Sequence, residues 1–231
     1  MAHKAQEAGQ FGAGVVDAAL ARGTDVDACV ALSRHVNGLA GQAFQVFGDA
    51  GIACRANCNF CCHLRVMVRP HEAIALFRVL GGMPGARAAL VRRQVRENAA
   101  RIARSGAAGP AGTRLACAFL VDGVCSAYEA RPLACAAYHS LDRMRCEQDH
   151  EAAPSGEATA NAGAGIPVLE GLVAALGMLS RGVDAGLAQR GLDAQPVELH
   201  TALAALIRNP ALIARWRSGK ALLPAGELAG R

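Results

Sequence analysis

The chain has 231 residues, 52% of them apolar but only 4% aromatic, and a formal net charge of +5, which is enough length to bury a core without cysteines as staples. No run approaches the roughly 18 consecutive apolar residues of a membrane span, and MAHKAQEAGQFGAG lacks the apolar stretch of a signal peptide. No membrane association is therefore expected, and the expected compartment is the cytoplasm, where thiols stay reduced. Ten arginines against two acids, Glu72 and Glu97, lie between Arg55 and Arg104; without interleaved aromatics they do not form a single-strand nucleic-acid platform, so nucleic acid is not an expected partner.

Residues 1–25 are read as a loose N-terminal segment. Asp25 or Asp27 is able to cap a helix predicted over 26–47, where CVALSRHVNGLAGQAFQVF has helical periodicity. Gly51 breaks the chain before CRANCNFCC. LRVMV then alternates weakly, as a short strand does. Arg69-Pro70 is a boundary, and HEAIALFRVL predicts a helix over 71–80 stopped by Gly81-Gly82. A strongly basic helix is predicted over 86–104, followed by a linker, SGAAGPAGT, at 105–113. In CAFLVDGVCSAY the pair Asp122-Gly123 between apolar residues signals a two-residue hairpin. Arg131-Pro132 turns the chain before Cys135. Residues 147–166 read as a linker. Helices follow at 168–190, at 196–208 opened by Pro196, and at 210–219 opened by Pro210. The expected fold is mainly α: a helical protein with a small β-hairpin and loop core around a cysteine metal or cluster site. Its cysteine-cluster domain spans 26–146, and 167–231 is a C-terminal helical extension offered to a protein partner.

Four cysteines, Cys54, Cys58, Cys61 and Cys62, fall within nine residues, and Cys117, Cys125, Cys135 and Cys146 form a second group. The ninth, Cys29, sits in the apolar pattern of the helix at 26–47 and reads as a small buried side chain. Clustered thiols in a reducing compartment are metal ligands before they are disulfides, and an odd total argues against a complete disulfide framework. Positions 54, 58 and 61 would form a helical stripe, but Gly51, Arg55, Asn57 and Asn59 favour a loop.

Zinc takes four N or S ligands in a closed tetrahedron, often from two C-x-x-C knuckles, and only Cys58 and Cys61 have that spacing. The spacing C-x3-C-x2-C with Phe60 before the third cysteine is similar to the cluster loop of radical-SAM enzymes. The alternating strands and helices of their barrel are missing. The spacing therefore points to an iron–sulfur cluster, 4Fe–4S by preference, with Zn2+ as the alternative, and not to radical chemistry. In an extended segment Cys61 and Cys62 would point to opposite faces. The pair is then expected to serve two centres, or one centre and a nearby thiol. Four thiolates around Zn2+ or an oxidised 4Fe–4S core leave a charge of about −2. Arg55, Arg65, Arg69, Arg114 and Arg131 are expected to offset it. His63, His71 and His139 are expected to support the thiols, not replace them.

Together these residues resemble the YkgJ-type cysteine-cluster family, associated with zinc or iron chelation. Its start, C-x(2–4)-C-x2-C-C, is met by Cys54, Cys58, Cys61 and Cys62. Its later block is met by CAFLVDGVCSAYEARPLAC, with Cys117, Phe119, Gly123, Cys125, Tyr128, Arg131, Pro132 and Cys135, and SLDRMRC ends at Cys146. Ala136 departs from the pattern, since relatives usually carry Arg there. The family includes the cluster domain of the flagellin lysine methylase, which is similar to a 4Fe–4S protein. The resemblance implies that all eight cysteines are metal ligands and favours iron–sulfur over zinc. No G-x-S-x-G, Walker-type loop, H-E-x-x-H or dinucleotide fingerprint is present, and no catalytic residue is assigned. Tyr128 beside Glu129 reads as a packing residue. The expected role is structural, redox-sensing or electron-transferring. The alternatives are a zinc-stabilised interaction module and a cluster-dependent, methyl-transfer-like enzyme.

Overall fold

A computed structural model describes residues 2–21, 23–47, 51–104, 114–152 and 165–224. Among the described residues the protein is mainly helical, with two antiparallel pairs of two-residue strands. In chain order these are α1 (Ala2–Ala19), α2 (Val26–Val46), β1 (Met67–Val68), α3 (Pro70–Gly81), α4 (Gly85–Arg104), β2 (Leu120–Val121), β3 (Val124–Cys125), α5 (Leu133–Ala137), α6 (Arg143–Glu151), α7 (Glu170–Gln189), β4 (Val197–Glu198), α8 (Leu199–Arg208) and α9 (Leu212–Arg217).

Local chemistry accounts for several starts. Asp25, not Asp27, caps α2: its carboxylate accepts the Ala28 N–H at 2.8 Å. The stripe Cys29, Leu32, Ser33, Val36 and Ala40 is then buried at helical spacing, and Cys29 is the core residue expected. Pro70 occupies the first turn of α3, where its missing N–H costs nothing. Pro196 behaves differently from expectation. It precedes β4, and α8 begins three residues later, capped by Glu198, which accepts the Thr201 N–H at 2.7 Å. β4 is the partner that LRVMV needs: Met67 pairs with Glu198 and Val68 with Val197.

The first 25 residues depart from the loose segment expected there. Most of them are α1, whose Val15 and Val16 are buried, as is Leu20 just after it. α1 lies along α7, and the two backbones approach closely at Gly186. A Cβ on Gly186 would sit 2.8 Å from Val16 Cβ and 2.9 Å from Ala13 Cα. Gly186→Ala is expected to overpack this crossing and destabilise the protein by about 1–3 kcal/mol. A lower urea midpoint at unchanged m-value would report it. α6 likewise runs into the segment expected as a linker at 147–166. The stretches 105–113 and 153–164 lie outside the described residues.

One apolar core joins both halves of the chain: α1 packs on α7, α2 on α3, and α4 on α8. By length and composition alone α7 is apolar enough to cross a membrane. Its Leu172, Leu176, Val183 and Leu187 are buried in this core. Arg69 at the start of α3 bridges to α7, its Nη2 donating to Asp184 Oδ2 at 2.8 Å and Ser180 Oγ at 2.6 Å. Trp216 of α9 is fully buried and donates its indole N–H to Asp193 O at 2.8 Å. In this frame α2 packs on α5, and both α2 and α3 pack on the turn Tyr128–Ala130 that precedes α5.

Candidate metal centre

The first cysteine group is shaped by two tight turns. Cys58 N–H donates to Arg55 O at 3.1 Å across a turn whose Asn57 has φ 65°, a left-handed conformation that Asn tolerates. Phe60–His63 is one turn of 3-10 helix, with Cys62 N–H donating to Asn59 O at 2.9 Å and Leu64 N–H to Cys61 O at 3.1 Å. Cys61 and Cys62 are therefore not in an extended segment. Successive side chains of a 3-10 turn differ by about 120° and not 180°. The two thiols strongly perturb each other's ionisation instead of being isolated on opposite faces.

The second group is brought to the first by the hairpin and two short helices. Asp122 and Gly123 have φ 53° and 79°, the positive values that a type I′ turn demands, and Leu120 pairs with Cys125 as the sequence predicts. Cys117 N–H donates to Cys62 O at 2.8 Å, Leu115 N–H to His63 O at 3.1 Å, and Asn59 Nδ2 to Gly123 O at 3.2 Å. Cys135 rides on α5, whose first N–H, that of Leu133, donates to Glu72 Oε1 at 2.7 Å. Cys146 rides on α6, capped by Asp142 through the Met144 N–H at 2.8 Å. α6 lies against the 3-10 turn, where His150 meets His63 at a ring separation of 4.5 Å and Phe60 at 5.6 Å.

All nine cysteines are free thiols, and their electrostatic neighbours sort the eight clustered ones. Burial pushes Cys125 up to about 11, and the charges of Cys117 and Cys62 add to it. Burial also raises Cys135, with Cys117, Cys125, Cys62 and Glu72 contributing in turn. Cys125 and Cys135 thus each feel the charges of Cys62 and Cys117. Burial raises Cys54, reinforced by Cys58 and Cys146. Cys61 stands between the two sets: its hydrogen bond to Cys62 raises it most, then burial, and it also feels Cys135 and Cys54. The same bond holds Cys62 down at about 7, helped by Arg131. Thiols raised by burial and by one another need added positive charge to ionise together, which is what a metal supplies.

The arginines divide. Arg131 pulls Cys54, Cys62 and Cys125 downward, against the burial that leaves Cys54 and Cys125 raised. Its guanidinium lies 4.2 Å from the centroid of the exposed Tyr128 ring, so Tyr128 holds the cation, and its carbonyl accepts Asn37 Nδ2 at 2.8 Å. Arg114 is buried and paired with Asp149, Arg69 is committed to α7, and Arg55 is exposed. The histidines near the cysteines differ in their surroundings. His139 Nδ1–H donates to Ala137 O at 2.9 Å and its Nε2 accepts the Leu169 N–H at 3.0 Å, which spends both nitrogens. His71 is buried in α3, and burial lowers it to about 3, Arg69 adding to the shift.

Three polar residues next to the cysteines escape sequence reasoning: Asn98 on α4, Glu198 and His200. Burial alone would lower the His200 imidazole, but hydrogen bonds to Cys117 and to Glu198 bring it up to about 9. Two N–H groups, of Ala118 and of Asn98, converge on Nε2 at 3.2 and 3.1 Å. They describe the neutral ring with Nδ1–H on Glu198, whereas the raised pKa describes the ring beside a Cys117 thiolate. The one sequence signal is a Glu-x-His pair among apolar residues, with nothing to say that it faces a cysteine.

The thiols are gathered but not closed: among the described residues no three His, Cys, Asp or Glu side chains are arranged as ligands of one metal ion. The donor set itself, eight free thiols in one region, has the chemistry of a soft-metal or iron–sulfur site. Residues 53–154 match the CxxCxxCC family model, described as a putative zinc- or iron-chelating domain. That segment contains all eight clustered cysteines, so the family resemblance seen in the sequence holds there. No curated protein and no solved structure matches the chain.

Proposed function

We propose that the CxxCxxCC domain at 53–154 is a metal-chelating unit with two adjoining thiolate sets, Cys62, Cys117, Cys125 and Cys135 on one side and Cys54, Cys58, Cys61 and Cys146 on the other. The observation that carries this is the convergence of eight free thiols from a loop, a hairpin and two short helices onto one region. An iron–sulfur cluster is the preferred occupant and Zn2+ the alternative. The C-x3-C-x2-C spacing supports iron. Such a group supplies electron storage when it is bound. This chain's residues hold it, with Arg131 offsetting charge and Asn59, Glu72 and Asp142 fixing the elements that carry the ligands. The role that follows is structural or redox-responsive, because the ligands tie together elements too short to order themselves.

Anaerobic purification with iron, zinc and sulfide analysis tests the metal. The expected result is a brown protein absorbing near ~400 nm with matching iron and sulfide. A colourless protein with stoichiometric zinc would establish the alternative. Cys61→Ser and Cys62→Ser test the two sets: each is expected to lose only part of the metal. Loss of all metal from either variant would mean one centre, and full retention in both would remove the pair from the ligand set.

A further inference from the structure

Cys117 is held from three sides. Its own N–H donates to Cys62 O at 2.8 Å. The carbonyl before it, Ala116 O, accepts Asn98 Nδ2 at 2.8 Å, which fixes the orientation of that amide. The N–H after it, that of Ala118, donates to His200 Nε2 at 3.2 Å, and Asn98 Nδ2 reaches the same nitrogen at 3.1 Å. Behind the ring, Nδ1 lies 3.1 Å from Glu198 Oε1, while Glu198 Oε2 accepts the Thr201 N–H at 2.7 Å and its hydroxyl at 2.8 Å.

Asn98, Glu198 and His200 are 1%, 5% and 4% exposed. Burying an amide, a carboxylate and an imidazole together is unfavourable unless every group is partnered, and here each is. Apolar residues would fill this space without that cost. A ring that holds the backbone N–H next to a ligand on one edge and a carboxylate on the other has the arrangement of an outer-sphere support for a metal ligand. His200 itself comes from α8, beyond the 53–154 match, and β4 before it is clamped to β1, just after the first cysteine group.

We infer that His200, with Glu198 behind it and Asn98 beside it, is a positioning residue for the Cys117 thiolate, so that the C-terminal helix α8 completes a metal centre whose ligands all lie in the CxxCxxCC domain. This inference rests on the chelating role proposed for Cys117. Its consequence is a physical link between α8 and the centre: whatever shifts α8 turns the Cys117 sulfur.

Co2+ alone, added to the full chain after anaerobic metal removal under reducing conditions, is a probe that works whichever metal is native. Thiolate ligation gives sulfur-to-cobalt charge-transfer absorption. His200→Phe keeps the ring and loses the hydrogen bonds. It is expected to weaken Co2+ binding by about 10–100-fold and to shift the charge-transfer band of the fully loaded protein. A merely structural role would not move the band at saturation. His200→Gln, whose amide reaches the same space, is expected to restore part of the affinity and to move the band back. If His200→Phe does not fold, Glu198→Gln serves, with a smaller band shift expected in the same direction. Wild-type affinity and an unshifted band in a folded variant would overturn the inference while leaving the chelation proposal standing. A wild-type protein with no charge-transfer band would overturn both.

Discussion

Removing the metal is expected to release the cysteine region while the helical frame stays folded. The elements that carry the ligands are short: strands of two residues, an α5 of five and an α6 of nine. Isolated helices below about 12 residues and single hairpins are marginal in water. Ordering each such residue costs about 1–2 kcal/mol of backbone entropy. Chelation by structural sites contributes on the order of 10 kcal/mol. The frame stands on a larger basis, a shared core that includes Leu32, Leu76, Leu172, Leu187, Leu203 and Trp216, with Cys117 and Cys125 packed only at its edge. On adding a chelator, amides of 54–64 and 114–152 are expected to lose hydrogen-exchange protection by about 100-fold or more. Amides of α2, α7 and α8 are expected to keep theirs. Equal loss in both regions would mean that the centre and the frame fold as one cooperative unit. Unchanged protection at 114–152 would mean that the metal does not hold the hairpin and α5.

The contrast between these regions also explains which parts of the molecule the sequence makes legible. The hairpin is legible because Asp122-Gly123 encodes its own backbone angles, and α2 because Asp25 caps it within three residues. The cysteine groups are legible because ligand spacing is local. α1 is not, since its Ala- and Gly-rich face gains meaning only against α7, which is joined to it through the Arg190–Asp17 ion pair across 173 residues. The direction of Cys61 and Cys62 depends on a 3-10 turn that the pleat rule does not anticipate. Among the five arginines near the cysteines, sequence distance does not separate Arg131, which faces the thiols, from Arg69, which belongs to Asp184 on α7. His200 is hidden for the same reason: its partner Ala118 lies 82 residues away, and no spacing rule links a helix start to a distant cysteine.

Glu72→Ala is expected to be the most damaging single substitution outside the cysteines. Glu72 is 2% exposed and its two oxygens serve two helices: Oε2 accepts the Arg69 N–H at the start of α3, and Oε1 accepts the Leu133 N–H at the start of α5, each at 2.7 Å. Pro132 has no N–H to offer, so the Leu133 N–H is the first donor of α5, two residues before Cys135. Burial raises the Glu72 carboxyl while these two N–H bonds pull it down, with Arg69 adding to them. Alanine would strand both donors in the core at about 1–3 kcal/mol each, a loss of about 3–5 kcal/mol, read as a lower urea midpoint. Glu72→Gln keeps one acceptor and turns an NH2 toward the other N–H, so a smaller loss of about 1–2 kcal/mol is expected. The two variants should part again at Cys135. Both remove the negative charge that helps raise its thiol, but only alanine also frees the start of α5. Metal release should therefore be faster in Glu72→Ala than in Glu72→Gln. Equal release rates would mean that charge at Cys135, not the anchoring of α5, governs how tightly that side of the centre is held.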